Sequence, residues 1–419
     1  MRLSMSAAVG AAALLAPTLA QVVSYTGTSD LTFLTGTNTP DPRPTGVPSG
    51  IYVTYESRIT LVGPNTTTTI GTATSSFPTT TASNGTSAAA PTNTQPCNNY
   101  LELCDRKYSN ITFVAAHNSP FVRPGNSGSN QEIPVKGQLD DGIRLVQGQM
   151  QWPTNGTEPH FCHTSCDLLD AGPIYEWLTE VRQWVDDHPY DVVTILLGNG
   201  NYSDASLYAP YIERSNIVKY AYQPPVRPMT LKDWPTLEEM IVRGQRVVMF
   251  MDYKANPEEY PWLLDEFSQM WETPFDPLNR DFPCIVDRPP DLSNESARDE
   301  MLYLMNHNLN AEFNVFDVQL LVPAVSLLND TNADEGYGSL GLAANNCRAD
   351  WGRAPNFLNV DYYNYGNYPG SVFEAAARVN NVSYPNGTCC NIMSFAAPAV
   401  RVPTWMAFGT LLLGIYLTI

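Results

Sequence analysis

Two histidines stand where they could move protons on a substrate. His117 ends the apolar run of "FVAAHNSPFV" (113–122) and is followed by two small polar residues, while His163 follows the short apolar segment of "EPHFCHTSC" (158–166). A carboxylate, Asp361 in "NVDYYN" (359–364), closes another apolar run. A neutral imidazole accepts a proton, an imidazolium returns one, and a carboxylate behind an imidazole fixes its tautomer and raises its basicity. This trio suits in-line displacement at a phosphorus centre. Gln147 and Gln149 sit late in "GIRLVQGQM" (142–150), and Asp252 and Tyr253 end "RVVMFMDY" (246–253). The alternative is plain: a few histidines among 419 residues fall near strand ends by chance, and rim carboxylates pair with backbone or a lysine.

Strands must present these residues. "ITFVAAH" (111–117), "GIRLVQGQM", "DVVTILLGN" (191–199), "RVVMFMDY", "EFNVFDV" (312–318) and "NFLNVDYYN" (356–364) are near-continuous apolar runs, as expected of strands buried on both faces of a parallel sheet. Between them lies a clear helix, "AGPIYEWLTEVRQWVDDHP" (171–189). Ile174, Trp177, Leu178, Val181, Trp184 and Val185 share one of its faces, and Asp170 stands in capping position. Alternating β and α predicts an α/β fold with a parallel sheet, and at this length a barrel closed by its own strands is favoured over the other reading, an open doubly wound sheet. In such barrels the polar residues at C-terminal strand ends line the active site, whereas strand bodies only pack.

The flanks differ in texture. Residues 1–20 carry one early cation, an apolar stretch and a small-residue ending, the pattern of a signal peptide. Residues 21–96 are dominated by Thr, Ser, Gly, Pro and Asn and hold too few large apolar residues to repay ordering, which predicts a disordered, O-glycosylated stalk or linker. Within it "GIYVTYESRITLVG" (50–63) alternates like strands that pair locally. Residues 97–395 form the barrel, and 396–419 end in an uncharged hydrophobic tail shorter than the ~20 residues of a spanning helix. That tail fits a GPI-type signal with attachment near Asn391 or Ser394, and a retained tail helix is the other reading. Eight cysteines and nine Asn-x-Ser/Thr sequons fit disulfides, glycosylation and an extracellular site. A formal charge of −19 argues against a nucleic-acid partner.

The ordered set "TFVAAHNSPF", "NQEIPVKGQLDDGIRLVQGQ", "HFCHTSCDLLDAGPIYEWLTEVRQWVDDHPYDVVTILLGNG", "RVVMFMDY" and "PNFLNVDYYNYG" resembles secreted fungal members of the PLC-like phosphodiesterase superfamily. It is similar to the X-domain of phosphatidylinositol-specific phospholipase C across about residues 97–395. The resemblance implies an irregular TIM (β/α)8 barrel and cleavage of a phosphodiester next to a polyol. It makes His117 the base on the attacking hydroxyl, Asp361 its carboxylate partner and His163 the acid on the leaving oxygen. Asn118 matches a calcium-ligating position of the metal-dependent members.

The departures carry as much. Where calcium-dependent relatives hold acidic ligands, this chain has Gln147, Gln149 and Gly198, and neutral oxygens alone seldom hold calcium. No cofactor or metal is expected. Where calcium-independent relatives place an arginine on the second strand this chain again has Gln149, and Arg144 falls five residues earlier on the opposite face. The place of a phosphoinositide-reading cation is taken by Asp252. An unphosphorylated polyol or glycan fits better, with Asp252 and Asp317 accepting hydrogen bonds from hydroxyls and Tyr253 stacking on a ring. Two functions remain: a phosphodiesterase acting on a phospholipid or glycolipid head group at a membrane surface, or a noncatalytic surface protein binding such a head group. A serine hydrolase is disfavoured, since no GxSxG elbow occurs.

Overall fold

The computed structural model describes residues 51–55, 57–60, 95–122, 128–315, 318–385 and 389–390. Eight strands build the barrel: β1 (Phe113–Ala116), β2 (Leu145–Gln151), β3 (Val193–Asn199), β4 (Val247–Met251), β5 (Leu264–Asp265), β6 (Met270–Glu272), β7 (Leu302–Asn306) and β8 (Phe357–Val360). They form one parallel sheet in the order β6-β7-β8-β1-β2-β3-β4-β5. Each strand therefore lies beside its neighbour in sequence, and the sheet is open only along the seam between β5 and β6. The result is an irregular α/β barrel.

Period-two alternation divides the interior into two layers. Phe113, Ala115, Leu145, Leu196, Val248, Phe250, Leu264, Met270, Leu302, Leu304 and Phe357 join one buried apolar cluster, closed at its base by Tyr108 and Trp234 stacked at 4.6 Å. Two residues further along the strands the same parity turns polar, with His117, Gln147 and Gln149, Asp252, Glu266, Glu272, Asn306, Asn359 and Asp361, and with Gly198 as the one position that lacks a side chain. The apolar layer fixes the strands, and the polar layer above it is the mouth.

Outside the sheet, the helix α1 (Ile174–Asp187) buries all six residues expected on its apolar face. Asp170 does not cap it. Pro173 occupies the N-cap, and Asp170 instead accepts from His160 Nδ1 at 2.8 Å and from the Gly172 N–H at 2.7 Å, across a short antiparallel pair of His160–Cys162 with Asp170–Pro173. Arg144 lies on the outer face, as its register predicts. Its guanidinium donates to Asp191 at 2.7 Å and to two backbone carbonyls, beneath the Trp184 ring.

Three segments depart from expectation. "EFNVFDV" is not a barrel strand: Asn310–Val315 pairs antiparallel with Val318–Pro323 in a separate two-stranded sheet, and the barrel position belongs to "LYLMN", Leu302–Asn306. An apolar run followed at once by another can fold on itself, whereas all five residues of Leu302–Asn306 are buried, as a barrel strand requires. β5 and β6, at two and three residues, are too short to show a period. Finally, the described residues of 50–63 do not pair among themselves. Ile59–Thr60 pairs antiparallel with Val226–Arg227, Arg58 meets Asp233 at 2.5 Å, and Ile51 and Tyr52 join Tyr253, Phe267 and Tyr202 in an apolar cluster. The leading segment, most of the stalk and the hydrophobic tail lie outside the described residues.

Candidate active site

His117 follows β1 and Asp361 follows β8, so the β1–β8 pairing brings both to one point of the mouth. The register Val360↔Ala116 and the His117 N–H to Val360 carbonyl bond (3.0 Å) set them side by side. His117 Nδ1 lies 2.8 Å from Asp361 Oδ1. The carboxylate is almost wholly buried, while the imidazole keeps 17% of its surface. A buried carboxylate at that distance holds the proton on Nδ1 and leaves Nε2 as the basic atom. Asn130 Nδ2 donates to the same Asp361 oxygen at 2.8 Å. Asn118 takes a left-handed backbone, φ 49°, which Asn tolerates better than most residues. The chain then crosses to β2, where the Ser119 N–H donates to the Gln147 carbonyl at 2.7 Å.

His163 comes just after a short strand beside β2. Residues His160–Cys162 run antiparallel to the end of β2, with Met150 opposite Phe161 and Gln151 opposite His160. Gly148 makes this approach feasible, because a Cβ there would stand 2.7 Å from the Phe161 ring and 2.8 Å from Pro120. A Cys162–Cys166 disulfide closes the five residues that contain His163. Its N–H donates to the Leu169 carbonyl at 2.9 Å, and its ring meets Phe121 edge-on at 5.3 Å. The base candidate thus follows β1, and the acid candidate sits in the disulfide-closed loop that follows the short strand paired to the end of β2.

The glutamines are held by the protein itself. Gln147 Oε1 accepts from Asn359 Nδ2 at 3.2 Å, and Gln149 Oε1 accepts from Gln151 Nε2 at 2.7 Å. Gly198 leaves room for Gln149: a Cβ at 198 would stand 3.2 Å from its Cα and 3.5 Å from its Cβ and Cγ. From Gln147 a chain of side chains crosses the mouth. Asn359 also donates to Asn306 Oδ1 at 3.0 Å, Asn306 donates to Glu272 at 3.1 Å, and Arg288 donates to Glu272 and, at 3.3 Å, to the Tyr253 hydroxyl.

The far side, around β4 to β6, is acidic. Burial pushes Asp252 up to about 7, even though its Oδ1 accepts the Asn199 and Tyr253 N–H groups at 2.7 Å each and Arg288 is near. Burial likewise raises Asp265 to about 7. Glu266 is raised well above the carboxylate range by burial and by the charge of Glu272. Burial opposes the Glu272 charge too, but the Arg288 guanidinium and the hydrogen bonds outweigh it and the group is lowered. Tyr253 is 5% exposed, with its ring among Tyr52, Tyr202 and Phe267, so it serves the core rather than offering a face to a sugar. Asp317 lies outside the described residues.

Sequence reading missed Asn130, Glu272, Arg288, Asn306 and Asn359. Asn359 was accessible, since it stands two residues before Asp361 and shares its face. Glu272 and Arg288 carry no such signal, one ending a three-residue strand and the other lying in a loop after it.

A barrel of parallel strands with a His–Asp pair at its C-terminal rim defines a class of α/β protein whose chemistry is placed at strand ends. Residues 103–380 match the family model described as PI-PLC X 1, and the chain belongs to that family. It is 50% identical over 345 residues to an uncharacterized secreted protein of Arthroderma benhamiae, covering 81% of this chain and 76% of that one. It is also 42% identical over 288 residues to a PI-PLC X domain-containing protein 1 of the same organism, covering 68% and 90%. Among solved structures it is similar to a phosphatidylinositol-specific phospholipase C from Listeria monocytogenes. There the identity is 13% and the TM-score 0.43, with 67% of this chain and 96% of that one covered.

Proposed function

We propose that the chain is a PLC-like phosphodiesterase that cleaves a phosphodiester beside a polyol hydroxyl in a phospholipid or glycolipid head group. The observation that carries this reading is the 2.8 Å contact between His117 and the buried Asp361 at the mouth. His117 Nε2 takes the proton of the attacking hydroxyl, and the new O–P bond closes a cyclic phosphate. The P–O bond to the lipid breaks, its electron pair leaves on the lipid oxygen, and His163 protonates that oxygen. Asp361 stabilises the imidazolium at position 117.

Calcium does not fit the donor set. Asn118, Gln147, Gln149 and Gly198 bring no carboxylate, and the oxygens of Gln147 and Gln149 already accept hydrogen bonds from Asn359 and Gln151. Catalysis without calcium follows as part of the proposal. The acidic side of the mouth disfavours a phosphorylated polyol and supports an unphosphorylated one, whose hydroxyls suit Asp252. Secretion is supported by the leading segment, by the absence of free cysteines among the described residues and by a secreted relative. The sequon residues Asn110, Asn155, Asn201, Asn294, Asn329 and Asn381 are all exposed. GPI anchoring of the uncharged tail completes the reading.

A second reading, a noncatalytic head-group binder, is favoured by one observation: Arg288, a cation at the mouth, is committed to Glu272 and has no charge to spare for a phosphoryl oxygen. The test is turnover of phosphatidylinositol and GPI-type glycolipids by the wild type and His117→Ala, with and without EGTA, following the cyclic phosphate product. Turnover that survives EGTA and falls about 10²–10⁴-fold in the variant is expected. Strict calcium dependence sinks the donor argument, and head-group binding without turnover selects the second reading.

A further inference from the structure

We propose that Asn130 and Gln131, an adjacent pair in the loop after β1, are positioning residues that clamp the His117–Asp361 pair from above. The two amides act on different levels of it. Asn130 Nδ2 donates to Asp361 Oδ1 at 2.8 Å and lies 3.3 Å from His117 Nδ1, so two donors converge on one carboxylate oxygen. Gln131 Nε2 donates to the backbone carbonyl of His117 at 2.7 Å and to that of Val360 at 3.1 Å. One amide therefore holds the reacting side chains, and the other staples the two strand ends that carry them.

The orientation of both amides follows from their surroundings. Turning Asn130 over would set its carbonyl against the Asp361 oxygen, and turning Gln131 over would set its carbonyl against two others; acceptor would face acceptor in each case. The loop itself is pinned. The N–H groups of Asn130 and Gln131 reach the Phe121 carbonyl at 3.0 and 3.1 Å, and the Tyr362 N–H donates to the Asn130 carbonyl at 2.7 Å. Asn130 is 1% exposed and Gln131 is fully buried.

The clamp has a cost that a purely structural staple would avoid. Asn130 Oδ1 and Gln131 Oε1 are buried with no hydrogen-bond partner among the described residues, and so is Asp361 Oδ2. A buried polar atom left unpaired is a liability that packing alone selects against. Asn130 thus donates to the pair and Gln131 to the strand ends that carry it, while both leave their acceptors unsatisfied. With Asp361 Oδ2 unpartnered, the carboxylate has little besides His117 and Asn130 to fix its rotation. Removing the Asn130 donor frees it to turn away from Nδ1, and the imidazole then loses its single tautomer.

The catalytic meaning of the clamp rests on the proposed acid–base reading, but its geometry is testable without turnover. Asn130→Leu removes the donor and keeps the size; Asn130→Asp keeps the shape and replaces the donor by a second carboxyl. In histidine-labelled protein, ring nitrogen spectra of the wild type should show His117 as one neutral tautomer with a slowly exchanging Nδ1–H. Either variant should broaden or lose that resonance while circular dichroism stays unchanged. If the protein turns over lipid, kcat should fall about 10–100-fold with KM within about twofold. An Nδ1–H resonance and kcat both retained in a folded variant overturn the proposal, as does failure of both variants to fold. An inactive wild type with a tautomer that depends on Asn130 would overturn the phosphodiesterase reading and leave the clamp standing.

Discussion

Asp361 and Asp265 are both buried aspartates, and their neighbours give them opposite duties. Asp361 meets an imidazole and an amide on one oxygen. Asp361→Asn would offer His117 a donor in place of an acceptor, move the ring proton to Nε2 and remove the base. Turnover should fall by about 10²–10⁴ with substrate affinity little changed, and a loss under threefold in steady-state kinetics would count against the pair. Asp265 has no cation against it, and burial raises it to about 7. A carboxyl raised in the folded state binds its proton more tightly when folded. Its contribution is therefore complete below about pH 4 and drains away as pH climbs towards 7. His307, lowered to about 3 by burial, works in the other direction, since stability is lost as pH falls below its ordinary range. The two overlap in the wild type, so the difference between wild type and Asp265→Asn isolates the aspartate. By urea denaturation the variant should gain on the order of a few kcal/mol between pH 4.5 and pH 8 relative to wild type, and a pH-independent difference would refute the assignment. The histidines and Asp361 were legible because each ends an apolar run. Arg288 was not, because its role exists only through Glu272, Tyr253 and the curvature of the sheet that brings them together.

The element that presents His163 is a loop closed by a disulfide rather than a strand. Opening it with Cys162→Ala and Cys166→Ala together should remove about 2 kcal/mol of chain-entropy stabilisation by the loop-closure relation, while the barrel remains folded. The kinetic effect should depend on the leaving group. A lipid alkoxide needs the proton from His163, whereas an aryl oxide departs without one, so kcat should drop markedly for the lipid and little for an aryl phosphodiester. Equal losses on both would place His163 outside the acid role. Among the elements, the apolar face of the helix over 174–187 was readable because a 3.6 period persists across its length, whereas its start, read at 171 behind an Asp170 cap, was not. The strands β1 to β4 and β8 were legible as apolar runs, since both their faces are buried. β7 lost its place to the run just after it, and β5 and β6 have too few residues to carry any pattern. What remains hidden from sequence is partner choice: "EFNVFDV" has the composition of a barrel strand, and only pairing with Val318–Pro323 decides otherwise.

Across the whole molecule, charge is unevenly placed. The mouth sets Asp361 beside His117 on one side and gathers the carboxyls of Asp252, Glu266 and Glu272 around Arg288 on the other, and the chain carries −19 in total. An anionic lipid surface is repelled at long range, and the Debye length shrinks from about 30 Å at 0.01 M salt to about 8 Å at 0.15 M. Turnover of phosphatidylinositol vesicles should therefore rise with salt over that interval, and a fall would reveal a basic docking patch. The segment Ile51–Thr60 makes a different point about the boundary of the folded unit. Composition assigns it to the stalk, yet it covers Tyr253 and Phe267 and completes the edge at Val226–Arg227. A recombinant protein trimmed to begin at Cys97 would uncover aromatic faces and a bare strand edge together, the combination that drives self-association. Such material should elute as aggregates and melt earlier than protein beginning at Gln21, so a negative assay on it would report on the trimming and not on the catalyst.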